Sequence, residues 1–196
     1  MSRVHALFLV LLAFLGACSM RSAIDAFSSP EDRAFAQNFI DRLRSGDTKS
    51  LEVSFEPQVW RESASQLGQA RRLFPSGRGT TELIGFQFST NMTNGATRRT
   101  KDYTLVTHDD AHWTTTVLRT QSEGNGPQRI IGWNVNGGSE MPAAYRQFQT
   151  MDNMARGFWI GGLVVIVFIV GLVIFLIRRS RRRRRDPLMG QGGGTS

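Results

Sequence analysis

The segment Pro75-Ser-Gly-Arg-Gly79 separates two hydrophobic patterns, and this change of pattern decides the fold. Before it, apolar residues recur every three or four positions, which is typical of helices that bury one face. After it, apolar and polar residues alternate, which is typical of strands with one buried face. The chain between residues 30 and 136 is therefore predicted to fold with helices first and strands second, as an α+β domain.

The helical half begins at Ser29-Pro30-Glu31-Asp32. A serine N-cap, a proline in the first turn and an acid at the third position together predict the start of a helix. Gly46 is expected to end this helix, because glycine adopts the left-handed conformation that closes many helices. A short helix over residues 48–55 and a third helix over residues 57–73 complete this half.

The second half predicts an antiparallel meander of four strands. Asn94-Gly95 is a preferred pair for a tight hairpin, and Gly124-Asn-Gly-Pro127 marks another turn. The helices are the available cover for the apolar face of the resulting sheet. The strands are expected around residues 84–88, over 97–107 and 113–120, and around 131–135.

Three segments resemble the nuclear-transport-factor-two-like fold, a cystatin-like α+β cone. They are the first helix from Phe35 to Asp47, the segment Phe55-Glu-Pro57 and the closing strand Ile130-Ile-Gly-Trp-Asn-Val135. The likeness covers most of residues 30–136 and is one of pattern rather than of signature residues. It implies a cone with a concave face, in a fold whose members include ligand binders, isomerases and dehydratases, so it leaves function open.

The N-terminus has the pattern of an export signal over residues 1–17. A single cation, Arg3, precedes an apolar run over residues 6–15 that is too short to cross a bilayer. Leu15-Gly16-Ala17-Cys18 resembles the bacterial lipobox, which implies cleavage before Cys18 and acylation of its thiol with palmitate-type chains. The alternative is an ordinary signal peptide followed by a coincidental cysteine, although Cys18 is the only cysteine in the chain.

An uncharged apolar run over residues 157–177 predicts a C-terminal transmembrane helix, since it would reach about 31 Å as a helix. Seven arginines follow in the tail over residues 178–196, and this excess of cations predicts a cytoplasmic tail and a periplasmic domain. Residues 18–29 and 137–156 are then linkers, and both anchors are expected in the bacterial inner membrane. The spacing of Gly157 and Gly161 suggests close helix packing in a homodimer.

The net charge of +8 comes mainly from the ends of the chain. Residues 18–157 contain 16 cationic and 15 acidic side chains, so the central domain is close to neutral. A nearly neutral domain lacks the basic surface that nucleic-acid binding requires, and nucleic acid is therefore not expected as a partner.

Two groups of polar residues are candidates for chemistry. His108-Asp109-Asp110-Ala111-His112 falls between two predicted strands, where the sequence favours a solvated turn over a metal site. If the cone encloses a pocket, Asp102, Tyr103, Trp133 and Asn134 are the residues expected to line it. Nothing in their spacing pairs a carboxylate with a donor, so no catalytic residue, metal or cofactor is predicted.

The sequence therefore favours a non-catalytic accessory or binding domain, anchored to membrane lipid and acting on an unidentified envelope protein. The alternative is an enzyme or a ligand carrier that uses the cavity of the cone. An enzyme predicts an open pocket around a buried carboxylate, whereas an accessory domain predicts a filled cone and an exposed apolar patch.

Overall fold

The chain folds, in a computed structural model, as an α+β protein, and the structure describes residues 19–77, 79–93 and 95–183. Residues 19–153 form one compact unit. The elements in chain order are α1 (Met20–Phe27), α2 (Pro30–Ser45), α3 (Thr48–Glu52), α4 (Pro57–Ser63), α5 (Leu67–Arg71), β1 (Thr80–Thr93), β2 (Ala96–His108), β3 (Trp113–Glu123), β4 (Arg129–Gly138) and α6 (Ala143–Arg183).

Helix α2 forms where the sequence predicts it. The Ser29 side chain accepts a hydrogen bond from the Asp32 amide, and the Asp32 carboxylate accepts one from the Ser29 amide, which completes a capping box. Pro30 occupies the first turn, where its missing N–H costs no hydrogen bond. Gly46 closes the helix with φ of +80° and donates its amide proton back to the last turn.

The single helix predicted over residues 57–73 is two helices, α4 and α5. The chain turns between them, and the Gln66 amide donates a 2.8 Å hydrogen bond to the Ser63 carbonyl. Apolar spacing alone did not reveal this break because Trp60 and Leu67 both face the core, each from its own helix.

The four strands form one antiparallel sheet in the order β1-β2-β3-β4, as predicted. Gly95 turns the β1–β2 hairpin with φ of +79°. Between Leu83 and Gly85 the pairing of β1 with β2 shifts by one residue, so Ile84 forms a bulge. Simple alternation predicts that Ile84 and Phe86 share one face of the sheet. Because of the bulge, their side chains point to opposite faces.

The sheet is covered on both faces. Tyr103 and Leu105 of β2 pack under helices α2 to α5, while Val106 points to the other face. The larger core contains Ala36, Phe39, Ile40, Leu43, Leu51, Phe55, Leu67, Ala70, Phe74, Tyr103, Leu105, Leu118, Ile130 and Val135. The smaller core contains Ile24, Ile84, Val106, Tyr145 and Phe148.

The smaller core changes the interpretation of two segments that the sequence suggested were linkers. Helix α1 lies within residues 18–29 and buries Ile24. The first turns of α6 lie within residues 137–156 and bury Tyr145 and Phe148. A few apolar side chains in a short segment gave too weak a periodic signal to reveal either packed helix.

The prediction of a C-terminal transmembrane helix is wrong. In the part of the chain that the structure describes, no helix has the length and apolar character needed to cross a membrane. The run over residues 157–177 lies inside α6, which begins at Ala143 and continues to Arg183.

Candidate functional site

A buried polar network joins the start of α2 to β2. Asp32 lies in the first turn of α2, and Lys101 and Tyr103 lie two positions apart on β2, so both side chains face the helix. Lys101 Nζ lies 2.5 Å from Asp32 Oδ1, and the Tyr103 hydroxyl donates to the same oxygen at 3.0 Å. The second oxygen, Asp32 Oδ2, accepts hydrogen bonds from the Ser29 amide and hydroxyl at 3.3 and 3.1 Å.

Gln128, just before β4, extends the network to the rest of the sheet. Its Nε2 donates to the Tyr103 hydroxyl at 2.7 Å and to the Thr120 hydroxyl at 3.0 Å. The Tyr103 hydroxyl therefore both donates and accepts, which satisfies a buried phenol. The network connects α2, β2, β3 and the segment before β4.

The network shifts the pKa of Asp32 down and the pKa of Tyr103 up. Burial alone would raise the pKa of Asp32, but hydrogen bonds from Lys101 and Tyr103, with the Lys101 charge, outweigh burial and lower it. Burial raises the pKa of Tyr103 far above its ordinary value, and the neighbouring Asp32 charge raises it further. At neutral pH Asp32 is a carboxylate and Tyr103 is a neutral phenol, so their shared hydrogen bond is at full strength.

The four pocket residues expected from the sequence do not meet in one site. Tyr103 is buried in the larger core, whereas Asp102 points to the opposite face of β2 and accepts two hydrogen bonds from Arg119, at 2.6 and 3.2 Å. Trp133 and Asn134 do come together, in a groove of about 220 Å³ that Gln66 and Gln69 also line.

The segment between β2 and β3 is a turn, as expected. The Asp109 carboxylate accepts from the amides of Ala111 and His112 at 2.9 and 2.7 Å, and these bonds lower the pKa of Asp109. His112 is exposed, but His108 is half-buried and stacks on Trp113 with ring centroids 4.4 Å apart. Among the residues that the structure describes, no group of three His, Cys, Asp or Glu side chains is arranged to hold a metal ion.

A second polar cluster surrounds Glu82 on β1, and sequence reasoning missed it. Glu82 forms an ion pair with Arg21 of α1 and accepts a 3.1 Å hydrogen bond from the Tyr145 hydroxyl of α6. His108 Nε2 lies 3.9 Å from Glu82 Oε1 and is buried without a hydrogen-bond partner. No local pattern could have revealed this cluster, since its members come from segments far apart in the chain, two of which had been expected to be linkers.

Asp32 was visible in the sequence only as a helix cap. Its charge partner is 69 positions away on β2, and this pairing depends on how the helix crosses the sheet. The remaining candidate, Cys18, lies outside the described residues, so its acylation stays a prediction. Gly157 and Gly161 both lie in α6, and a role in dimer packing likewise stays a prediction.

Comparison with known proteins found no matching family model, no matching curated protein and no matching solved structure. The resemblances to lipobox proteins and to the nuclear-transport-factor-two-like fold therefore gain no support from relatives. The residues and their geometry carry the functional argument.

Proposed function

We propose that this chain is a binding or accessory domain that works outside the cytoplasm, in a bacterial envelope, and that it acts by holding another molecule rather than by catalysis. Acyl chains on Cys18 would hold it at a membrane surface. The observation that carries this proposal is the state of the Asp32 carboxylate, both of whose oxygens are occupied by donors from the protein itself.

A catalytic carboxylate needs a free oxygen that can reach a substrate, either to accept a proton or to donate one. Asp32 is only 6% exposed, and its charge is neutralised by Lys101 at 2.5 Å. Its lowered pKa also keeps it ionised near neutral pH, so it is a poor general acid. These features are those of a structural ion pair.

The aromatic interior provides further support for a filled cone. Phe55 packs between Phe39 and Trp60, with ring centroids 6.2 and 5.4 Å away. Phe86 packs against Tyr103 at 5.3 Å. Rings at these separations are in van der Waals contact and fill much of the space between the helices and the sheet. The pocket of about 230 Å³ beside Phe39 and Ile130 is smaller than most ligand sites.

An exposed apolar surface also supports a binding role. Phe88 and Met92 are 63% and 72% exposed, and they lie four positions apart on β1, so their side chains share one face of the strand. Exposed large apolar side chains on one surface are typical of contact sites.

The catalytic alternative can be tested with Tyr103→Phe, which removes the hydroxyl from the network and keeps the ring. In a strain that lacks the chain, a binding domain predicts full complementation by this variant when its abundance matches the wild type. An enzyme that used the Asp32–Tyr103 pair would lose function although the variant remained folded, and that result would contradict the proposal.

Export requires a separate test. Alkaline phosphatase fused after Asn153, the last residue of the compact unit, is expected to be active, because the enzyme matures only outside the reducing cytoplasm. The same fusion without residues 1–17 provides the control and should be inactive. If the fusion that retains residues 1–17 is intact but inactive, an extracytoplasmic location is contradicted.

A further inference from the structure

Three arginines line one open groove where the end of α2 meets α5 and the segment that follows it. Arg44 comes from the last turn of α2, Arg71 ends α5, and Arg72 follows it. The groove has a volume of about 900 Å³. Hereafter it is the arginine groove, defined by Arg44, Arg71 and Arg72.

Two of the three side chains are held in place by the backbone. Arg44 Nη2 donates a hydrogen bond of 2.5 Å to the Gly77 carbonyl, and Arg71 Nε donates one of 2.8 Å to the Arg44 carbonyl. A guanidinium group has five N–H donors, so each keeps further donors for a ligand. Side chains that are already positioned lose less conformational freedom on binding.

None of the three arginines forms an ion pair with a described residue of the domain. Among the described residues, no carboxylate lies within ion-pairing distance of Arg44, Arg71 or Arg72. Elsewhere on the surface Arg98 pairs with Glu123 at 2.7 Å and Arg119 with Asp102 at 2.6 Å.

Asp41 is the acid that lines the same groove. Its carboxylate accepts a 3.2 Å hydrogen bond from Gln37, on the same helix. Three cations and one carboxylate leave the lining of the groove with a net positive charge of two, and this concave positive surface of a nearly neutral domain attracts anions.

We propose that the arginine groove binds a ligand that carries more than one phosphate group, either free or as the headgroup of a lipid. The planar fork of a guanidinium matches two oxygens of a phosphate, and charge-assisted hydrogen bonds of this kind are among the strongest. Three guanidinium groups around a wide groove suit several linked phosphates better than a single small anion. The Ser76 hydroxyl at the groove can add an uncharged hydrogen bond.

This inference goes beyond the proposed function, which names neither a site nor a ligand. The two can fail separately. The complementation test with Tyr103→Phe does not involve the groove, and the binding test below does not involve Asp32 or Tyr103.

The test measures binding of tripolyphosphate to the full-length chain by isothermal titration calorimetry. Arg72→Glu is the principal variant, because Arg72 is exposed and its side chain, unlike those of Arg44 and Arg71, is not hydrogen-bonded to the described backbone. Arg61→Glu, at an exposed position on α4, is the matched control. In every protein compared, the seven arginines of residues 178–185 are replaced by glutamine, so that the tail does not compete with the groove for the probe.

We expect Arg72→Glu to weaken binding by about tenfold or more, the effect of losing a hydrogen bond to a charged group, and Arg61→Glu to change it less than about twofold. Vesicles of phosphatidylcholine with and without cardiolipin, which carries two phosphates, identify the source of the ligand. If Arg72→Glu weakens binding of tripolyphosphate but not of cardiolipin vesicles, the ligand is a free polyphosphate. If it weakens binding of the cardiolipin vesicles, the ligand is a lipid headgroup. If both variants bind each probe equally, the groove assignment is overturned.

Discussion

The Tyr145 hydroxyl donates a 3.1 Å hydrogen bond to Glu82 Oε1, and this contact fixes the start of α6 to β1 at the edge of the sheet. The Tyr145 ring packs against Trp113 and His108, with centroids 5.1 and 5.6 Å away. Arg21 of α1 pairs with the same carboxylate. One acid therefore holds two helices on the face of the sheet opposite to α2.

Replacing Tyr145 with phenylalanine separates the hydrogen bond from the ring packing. We expect Tyr145→Phe to lower the free energy of unfolding by about 1–2 kcal/mol, because the variant keeps the ring but leaves a partly buried carboxylate with one donor fewer. Urea denaturation of the full-length chain measures the change. On a Glu82→Ala background, which has no side-chain acceptor, Tyr145→Phe should have little effect if the contact is real, and equal losses on both backgrounds would contradict it.

The sequence predicted those elements whose ends are determined by local chemistry. Ser29, Asp32 and Gly46 mark α2 because a cap, a capping box and a left-handed glycine act within a few residues of one another. The alternation of apolar residues was sufficient to identify the four strands and their order.

The parts that could not be predicted depend on contacts between distant segments. The bulge at Ile84 changes which side chains of β1 face the core, and the only local signal for it was Gly85, an isolated glycine in the strand pattern that the alternation argument did not use. Helix α1 precedes the sheet in the chain and is held against it by the burial of Ile24. The start of α6 follows the sheet and is held against it by the burial of Tyr145. The Asp32–Lys101 pair likewise required the crossing of α2 over β2.

Replacing Gly46 or Gly68 with alanine should change the stability of the domain in opposite directions. Gly46 has φ of +80°, where a side chain is strained, and a Cβ there would also lie 2.6 Å from Arg71 Nη1. Gly46→Ala should therefore destabilise the domain by about 1–2 kcal/mol. Gly68 lies in α5 with nothing within 4 Å of an added Cβ, so Gly68→Ala should stabilise by up to about 1 kcal/mol. Thermal denaturation of both variants measures the difference, and a Gly46→Ala variant as stable as Gly68→Ala would contradict the cap assignment.

Acylation of Cys18 predicts a fatty-acid label on the mature chain. Because Cys18 is the only cysteine, Cys18→Ser should abolish labelling by a palmitate analogue, and its N-terminal peptide should lack acyl chains and retain residues 1–17. The two measurements are labelling in cells and mass spectrometry of the purified protein. Labelling that persists in Cys18→Ser would place the acyl group elsewhere.

The Asp32–Lys101 pair predicts a specific loss of stability in acid. The pKa of Asp32 is lower in the folded chain than in the unfolded chain, where an aspartate carboxyl has its ordinary pKa of 3.8. The stabilisation by the pair is therefore present above about pH 4 and is lost as the pH falls through the lower, folded value.

Asp32→Asn tests this prediction, because the variant keeps the size of the side chain and leaves Lys101 without its counter-charge. At pH 7 it should reduce the free energy of unfolding by about 2–3 kcal/mol, which is below the cost for a fully buried pair because Lys101 is 26% exposed. The gap between wild type and Asp32→Asn should narrow between pH 5 and pH 2.5, since acid protonates the wild-type carboxyl as well. Urea denaturation across this range measures the gap, with Asp110→Asn at an exposed turn position as the matched control. A gap that stayed constant with pH would mean that the lost contacts are not electrostatic, and the description of Asp32 as an ionised, internally paired carboxylate would then fail.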